Sequence, residues 1–322
     1  MPTPKIVVTR KLPDPVEERL KSLFTVALNP QDVPFSKDKL VRAMVQADGV
    51  LCAVGDNFDA EVLEAGKASH AKILANFGVG TNHIDLETAD DLGITVTNTP
   101  EVLDDATADI AMALILATTR RMHMHESRLR RGDWAGFDLV SGLGTSLRGK
   151  TLGVIGMGRI GTALAHRAFL GFGMNVLYFN RSKVLVPSLP EARAAESIEA
   201  VMAHADVISL HVPGHPENRH LINAKRIALM KPSAHLVNTA RGDVMDEPAL
   251  IKALQSGAIA GAGLDVYEAE PVVPDALKAL ENVTLLPHIG SATHEARIAM
   301  GMRAVDNLVA FFDKKVPPHQ VV

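Results

Sequence analysis

Short apolar runs and longer amphipathic stretches alternate along almost the whole chain. Residues 5–9 (KIVVT), 49–54 (GVLCAV), 72–77 (KILANF) and 94–99 (ITVTNT) are short and β-branched, with Gly, Asn, Asp or Pro at their borders. That pattern predicts strands. Stretches with helical spacing lie between them, such as 14–24 (DPVEERLKSLF), and a long helical pattern then runs over 105–131 and stops at Gly132. A second series of apolar runs follows: TLGVI, NVLYF, DVISLHV, AHLVNTA, AGAGLDVY and VTLLPHI. These are apolar throughout rather than alternating, as strands covered on both faces should be. Residues 292–315 predict one long final helix, which could lie back on the first series and make that unit discontinuous. Strand–helix alternation twice over predicts an α/β chain with two parallel-sheet units.

Composition narrows the function classes. A chain of 322 residues exceeds what one core usually supports, which also predicts two domains. A net charge of −4 argues against a nucleic-acid binder that relies on bulk positive charge. No apolar run approaches the roughly 20 residues of a membrane span, and the N-terminus has no signal-peptide apolar block. The single cysteine, Cys52, sits in the apolar run GVLCAV and reads as a buried structural thiol. No metal, membrane or nucleic-acid partner is expected, and a reducing, cytoplasmic location fits.

Residues 156–161 (GMGRIG) place Gly156, Gly158 and Gly161 in G-x-G-x-x-G spacing, between an expected strand (TLGVI) and an expected helix. The spacing alone is weak, but in this strand–turn–helix context it predicts a dinucleotide site. The glycines allow a tight turn and let a pyrophosphate approach the helix N-terminus, at Met157, Arg159 and Ile160. The next strand, NVLYF, ends at Asn180, where such sites usually carry an acid for the ribose hydroxyls. An acid there repels a 2′-phosphate, and Asn180 removes that repulsion. Arg181 offers a forked donor, and Ser182 and Lys183 add a hydroxyl and a point charge. The expected cofactor is NADPH in preference to NADH. A solvated basic turn is the plainer reading of the same residues.

Three chemically active residues lie just beyond later strand ends: Arg241, Glu270 and His288. In an open parallel sheet, ligands bind outside the carboxyl ends of the strands. Together the three suit hydride transfer to a 2-oxo acid. Arg241 can fork onto a carboxylate and polarise the carbonyl, His288 can protonate the developing alkoxide, and Glu270 can orient the imidazole. Singly, each has a dull alternative: a structural ion pair for Arg241, a surface turn for Glu270, and a satisfied core histidine for His288.

Residues 237–271 (VNTARGDVMDEPALIKALQSGAIAGAGLDVYEAEP), 285–300 (LLPHIGSATHEARIAM) and 76–116 resemble the signatures of the D-isomer-specific 2-hydroxyacid dehydrogenases, and the resemblance covers essentially the whole chain. It implies two Rossmann-like, doubly wound parallel-sheet domains with an interdomain cleft. The catalytic domain would comprise 1–100 and 288–322, and the dinucleotide-binding domain 101–287. The resemblance implies a catalytic triad of Arg241, Glu270 and His288. It implies substrate contacts from Val79 and Gly80, together with Arg241 and His288. It further implies cofactor contacts from Thr107, from His211, Val212 and Pro213 beside the adenosine, from Thr239, Ala240 and Asp265 beside the nicotinamide, and from Gly290. Members are usually homodimers joined through the nucleotide domain. PHIGSAT and the missing acid look most like the glyoxylate/hydroxypyruvate reductase branch. Glu270 separates the chain from formate dehydrogenases, which place Gln there. The chain ends shortly after its last helix, which leaves no room for the regulatory domain of long phosphoglycerate dehydrogenases.

The leading expectation is therefore NADPH-dependent reduction of glyoxylate and hydroxypyruvate. Its rivals are an NAD-linked dehydrogenase for D-lactate or a sugar acid, and a nucleotide-sensing protein of the corepressor type. An intact triad favours the enzyme. His123 and His125 lie two apart, so on a helix they point to different faces and do not suggest a metal site. The arginines at 120, 121, 128, 130 and 131 read as a solvated face or subunit contact, and Trp134 as packing near a dimer arm. His294 is given no chemistry. Residues 141–146 (SGLGTS) read as part of a subunit-crossing loop.

Overall fold

The computed structural model describes residues 3–65 and 71–322. The chain divides into two compact units, Met1–Leu103 with Ala292–Val322, and Asp104–Ser291. His288 and Gly290 thus belong to the second unit, with the glycine loop. Among the described residues no helix is long and apolar enough to cross a membrane.

In the first unit, β1 (Lys5–Val8), β2 (Thr25–Ala27), β3 (Gly49–Ala53), β4 (Ile73–Phe77) and β5 (Thr95–Thr97) form a parallel sheet in the order β2-β1-β3-β4-β5. Successive strand residues point to opposite faces. Val7, Val50, Cys52, Leu74 and Val96 accordingly share one buried cluster with Met44, Phe58 and Leu63. Cys52 is a free thiol within it. The final helix, His294–Phe312, packs on β4 and on the helix Asp14–Leu23. Its buried Asn307 donates to the Asn98 carbonyl (3.1 Å) and accepts from the His319 N–H (3.2 Å). The C-terminal segment then bonds along β5 through Val321 N–H to Val96 O, 2.7 Å.

In the second unit, β6 (Thr151–Ile155), β7 (Asn175–Phe179), β8 (Arg193–Ala194), β9 (Val207–Leu210), β10 (His235–Asn238), β11 (Gly261–Leu264) and β12 (Val283–Leu285) form a parallel sheet ordered β12-β11-β10-β9-β6-β7-β8. Both faces are covered. Leu152, Val154, Val207 and Val237 pack with Ala108, Ile115 and Leu164 on one side. Ile155, Ile208, Leu236 and Leu264 pack with Val201, Met202 and Leu250 on the other. This explains why these strands read as continuously apolar. The chain order reverses at β6, which lies between β7 and β9, so the crevice for a ligand falls beyond the ends of β6 and β9.

The structure departs from the sequence pattern in two places. The single helix expected over 105–131 is two helices, Asp104–Thr119 and Met122–Arg131. Arg121 between them adopts a left-handed backbone (φ 53°), and the Thr119 hydroxyl bonds back to Ile115 O at 2.7 Å. Such back-bonding offers the helix an alternative partner. The Thr119 carbonyl instead accepts from Thr145 N–H, so the helix end is closed by the returning 141–146 loop. The edge strands β2 and β8 carry no apolar pattern, being three and two residues long.

Candidate active site

The loop between β6 and the helix Arg159–His166 is shaped by close backbone approach. Gly156 has φ +98°, and a Cβ there would lie 2.6 Å from His211 O and 3.0 Å from Val212 N. The loop leaving β6 is therefore packed on the loop leaving β9. A Cβ on Gly161 would strike the Gly156 carbonyl. Gly158 differs: it is the helix N-cap, without a side-chain cap bond, and a Cβ there would meet nothing within 4 Å. An open, uncapped helix start, entered by Arg159 and Ile160, suits a pyrophosphate, which would satisfy first-turn N–H groups.

At the end of β7 the Asn180 side chain ties the surroundings together. Its oxygen accepts from Met157 N–H (3.1 Å), and its amide donates to Ser182 O (3.0 Å) and approaches Ser182 Oγ (3.3 Å). The Arg181 guanidinium turns away from this cluster and pairs with Glu217, on the turn Pro216–Asn218 after β9. His211 shares a hydrogen bond with Ser209 Oγ at 2.9 Å. Burial drives its imidazole pKa down to about 4, so it is neutral near pH 7. Pro213, two residues on, accepts from the Asn218 amide at 2.9 Å.

Arg241, Glu270 and His288 are brought into one neighbourhood by the loops after β10, β11 and β12. Buried Asn238, at the end of β10, donates to Arg241 O (2.8 Å) and accepts from Ala240 N–H (3.0 Å). Gly242 follows, where a Cβ would overlap the Tyr267 backbone, so only glycine lets the Arg241 loop lie against the Glu270 loop. Arg241 Nη1 donates to Ala240 O at 2.7 Å. Burial pulls its guanidinium pKa down, while the charges of Glu270 and Asp243 hold it up. Glu270 Oε1 accepts from Tyr267 N–H (3.0 Å), and Oε2 lies 2.7 Å from His288 Nδ1. Burial opposes ionisation of Glu270, but His288, the Tyr267 N–H and Arg241 outweigh it. The carboxyl therefore titrates below its ordinary value.

His288 sits in the left-handed region (φ 55°), a strained choice for a residue with a side chain. Asp265 holds it there. The Asp265 carbonyl accepts from His288 N–H (2.9 Å), and its two carboxylate oxygens accept from Ile289 N–H (2.7 Å) and Gly290 N–H (2.8 Å). A Cβ on Gly290 would lie 3.2 Å from Asp265 Oδ2 and 3.3 Å from Thr107 Cγ2, so these three expected cofactor contacts are neighbours. Thr239 Oγ1 is buried without a hydrogen-bond partner, which leaves one polar atom beside Ala240 for a ligand to satisfy.

In the first unit, the carbonyls of Gly78, Val79 and Gly80 in the loop after β4 are all engaged. Asn76 Nδ2 donates to Gly78 O (3.1 Å) and Gly80 O (3.0 Å), and Asn98 Nδ2 donates to Val79 O (2.9 Å). The Val79 side chain is 38% exposed. Among the described residues the Val79 and Gly80 N–H groups have no recorded protein acceptor. This suits a bound carboxylate oxygen.

Sequence reasoning missed the residues that aim the others: Asn76, Asn98, Asn238 and Glu217. Asn76 and Asn238 carried a signal, since each is an Asn at or next to the end of a strand, where its amide pins the following turn. Asp265 was expected beside the nicotinamide, not as the clamp on the His288 loop. Asp265→Asn retains the shape but turns an N–H₂ toward an N–H donor. Bonds to a charged acceptor contribute about 1.5–3 kcal/mol each. Amide exchange at Ile289 or Gly290 should therefore accelerate by roughly tenfold or more, beyond any change at amides elsewhere in the same sheet. Unchanged protection at both would contradict the clamp.

Comparison with known proteins places the chain in a family. Residues 112–290 match the NAD-binding domain of the D-isomer specific 2-hydroxyacid dehydrogenases. The chain is 44% identical over 326 residues to a glyoxylate reductase of Thermococcus litoralis, covering 99% of this chain and 96% of that protein. It is 43% identical over 321 residues to the glyoxylate reductase of Thermococcus kodakarensis, with 98% and 95% covered. Among solved structures it is similar to an NADPH-dependent glyoxylate/hydroxypyruvate reductase from Sinorhizobium meliloti in complex with NADP and malonate. The two share 35% identity and a TM-score of 0.87, over 99% of this chain and 97% of that one. The open glycine-capped helix, the loops that gather Arg241, Glu270 and His288, and these full-length likenesses lead to one conclusion: the chain belongs to the D-isomer-specific 2-hydroxyacid dehydrogenase family of oxidoreductases.

Proposed function

We propose that this protein reduces small 2-oxo acids with NADPH, glyoxylate to glycolate and hydroxypyruvate to D-glycerate. The observation that carries the reading is the His288–Glu270 pair, 2.7 Å apart, beside half-buried Arg241. The names of the relatives support the substrate class.

The cofactor's place is supported by the open helix start at Gly158, with Met157, Arg159 and Ile160 around it, and by the partnerless Thr239 Oγ1. Thr107, Ala240, Asp265 and Gly290 would line the nicotinamide end, and His211, Val212 and Pro213 the adenosine end. Asn180, Arg181 and Ser182 would face the 2′-phosphate. A reduced nicotinamide held there would supply hydride to the carbonyl carbon. Everything else falls to the chain. Arg241 forks onto the substrate carboxylate and draws charge from the carbonyl oxygen. In the first unit, taken by itself, the Val79 and Gly80 N–H groups suit a carboxylate oxygen. With Nδ1 directed at Glu270, His288 keeps Nε2 for the carbonyl oxygen and delivers the proton that completes the alcohol. Glu270 fixes the ring through its contact with Nδ1.

We include a homodimer in the reading. Phe137 and Val140, in the segment between the helix Met122–Arg131 and β6, are 91% and 82% exposed, and Trp134 and Leu139 are exposed beside them. A second copy covering this segment would remove that apolar surface from water.

The pH dependence follows from the shifts. The Glu270 carboxyl is depressed, so it stays anionic to lower pH than an ordinary carboxylate. Its charged hold on His288 Nδ1 is therefore present near neutral pH and is lost as pH falls through the lowered Glu270 pKa. Glu270→Gln removes the ionisable partner and should remove that acid limb of kcat/KM, besides lowering kcat. An acid limb unchanged in Glu270→Gln would refute the charge role of Glu270.

The cofactor preference has its own test. An arginine–phosphate contact of about 1.5–3 kcal/mol corresponds to roughly ten- to hundredfold. Arg181→Ala should lower kcat/KM for NADPH by about that factor and leave NADH nearly unchanged. Equal loss with both cofactors would remove Arg181 from the selection.

A further inference from the structure

β7 ends without an acid, yet a carboxylate stands on that side of the site. It is Glu217, which reaches from the loop after β9 to pair with Arg181. We propose that Glu217 is a specificity-determining residue that competes with the cofactor's 2′-phosphate for Arg181. It thereby moderates the preference for NADPH and keeps NADH usable. The inference rests on the cofactor reading above and deepens it.

Three observations carry it. First, the competing groups share one partner. An arginine fork takes one carboxylate or one phosphate face to face. A 2′-phosphate must displace Glu217 and then sit beside its negative charge, whereas a ribose without the phosphate leaves the pair intact. Second, Asn180 cannot act as the competing group. Its oxygen is engaged by Met157 N–H and its amide by Ser182, and it has no charge. Third, Glu217 is carried on an anchored loop. On one side, the Asn218 amide donates to Pro213 O at 2.9 Å. On the other, Arg219 Nη2 and His220 Nε2 lie 2.7 and 2.9 Å from Glu268 Oε1, and His220 N–H donates to Asp243 O at 2.7 Å. The carboxylate is thus presented to Arg181 by fixed backbone. The Arg181 and Glu217 side chains are 86% and 58% exposed, so the pair is solvated and screened. Such a pair tunes a preference without enforcing it.

The test uses Glu217→Gln, Arg181→Ala and the double variant. Dissociation constants for NADPH and NADH are measured by titration calorimetry without substrate, and kcat/KM with each cofactor on glyoxylate. Exposed ion pairs correspond to about two- to fivefold. Glu217→Gln should tighten NADPH relative to NADH by that factor in both readouts. The gain should shrink or vanish when Arg181 is already Ala, and should narrow at high salt. An unchanged NADPH/NADH ratio, or a shift toward NADH, would overturn the proposal, as would a full gain persisting without Arg181. The parent reading fails separately: it falls if Arg181→Ala weakens both cofactors equally. If Arg181→Ala is selective and Glu217→Gln is silent, only the role of Glu217 falls.

Discussion

The candidate site depends on one buried carboxylate. Asp265 stands at the end of β11 with both oxygens filled by the N–H groups of Ile289 and Gly290, and its own carbonyl receives His288 N–H. Burial raises its pKa, and those two N–H bonds oppose the rise. A buried charge is tolerable only when hydrogen-bonded, so the loop and the carboxylate stabilise each other. The consequence is geometric. His288 is held in a left-handed backbone it would not choose alone, with its imidazole on Glu270.

Around this point the second unit is assembled by loops that lean on one another. Gly242 lets the Arg241 loop lie on the Tyr267 backbone, and Asn238 fixes that loop from its own strand. Gly156 does the same for the loops after β6 and β9. Each contact replaces side-chain freedom by backbone approach, which is how a parallel sheet gathers groups from distant parts of the chain at one edge. In the proposed reaction this preorganisation supplies orientation before the substrate arrives.

Much of this was legible in the sequence, for identifiable reasons. The strands β6, β7, β9 and β10 announced themselves because burial on both faces demands apolar residues throughout. The glycine loop was readable because its backbone tolerates little else at Gly156 and Gly161. Arg241, Glu270 and His288 were singled out because each follows a strand end, and the structure places them near one another. The break at Arg121 was hidden, since the helical pattern continues across it and the cause is a tertiary bond from Thr145. The Asp265 clamp spans 24 positions to Ile289 and the Arg181–Glu217 pair spans 36, so neither has a local signature. For Arg181 the sequence suggested a donor awaiting a phosphate, whereas the structure pairs it with an acid that sequence reasoning had not considered.

The central claim is a reduction of small 2-oxo acids that draws on NADPH. Its most direct measurement is kcat/KM on glyoxylate, hydroxypyruvate, pyruvate and phenylpyruvate, each with NADPH and with NADH. The account predicts the highest values for glyoxylate and hydroxypyruvate with NADPH. Tight cofactor binding without turnover on any of the four acids, or a consistent preference for NADH, would contradict it.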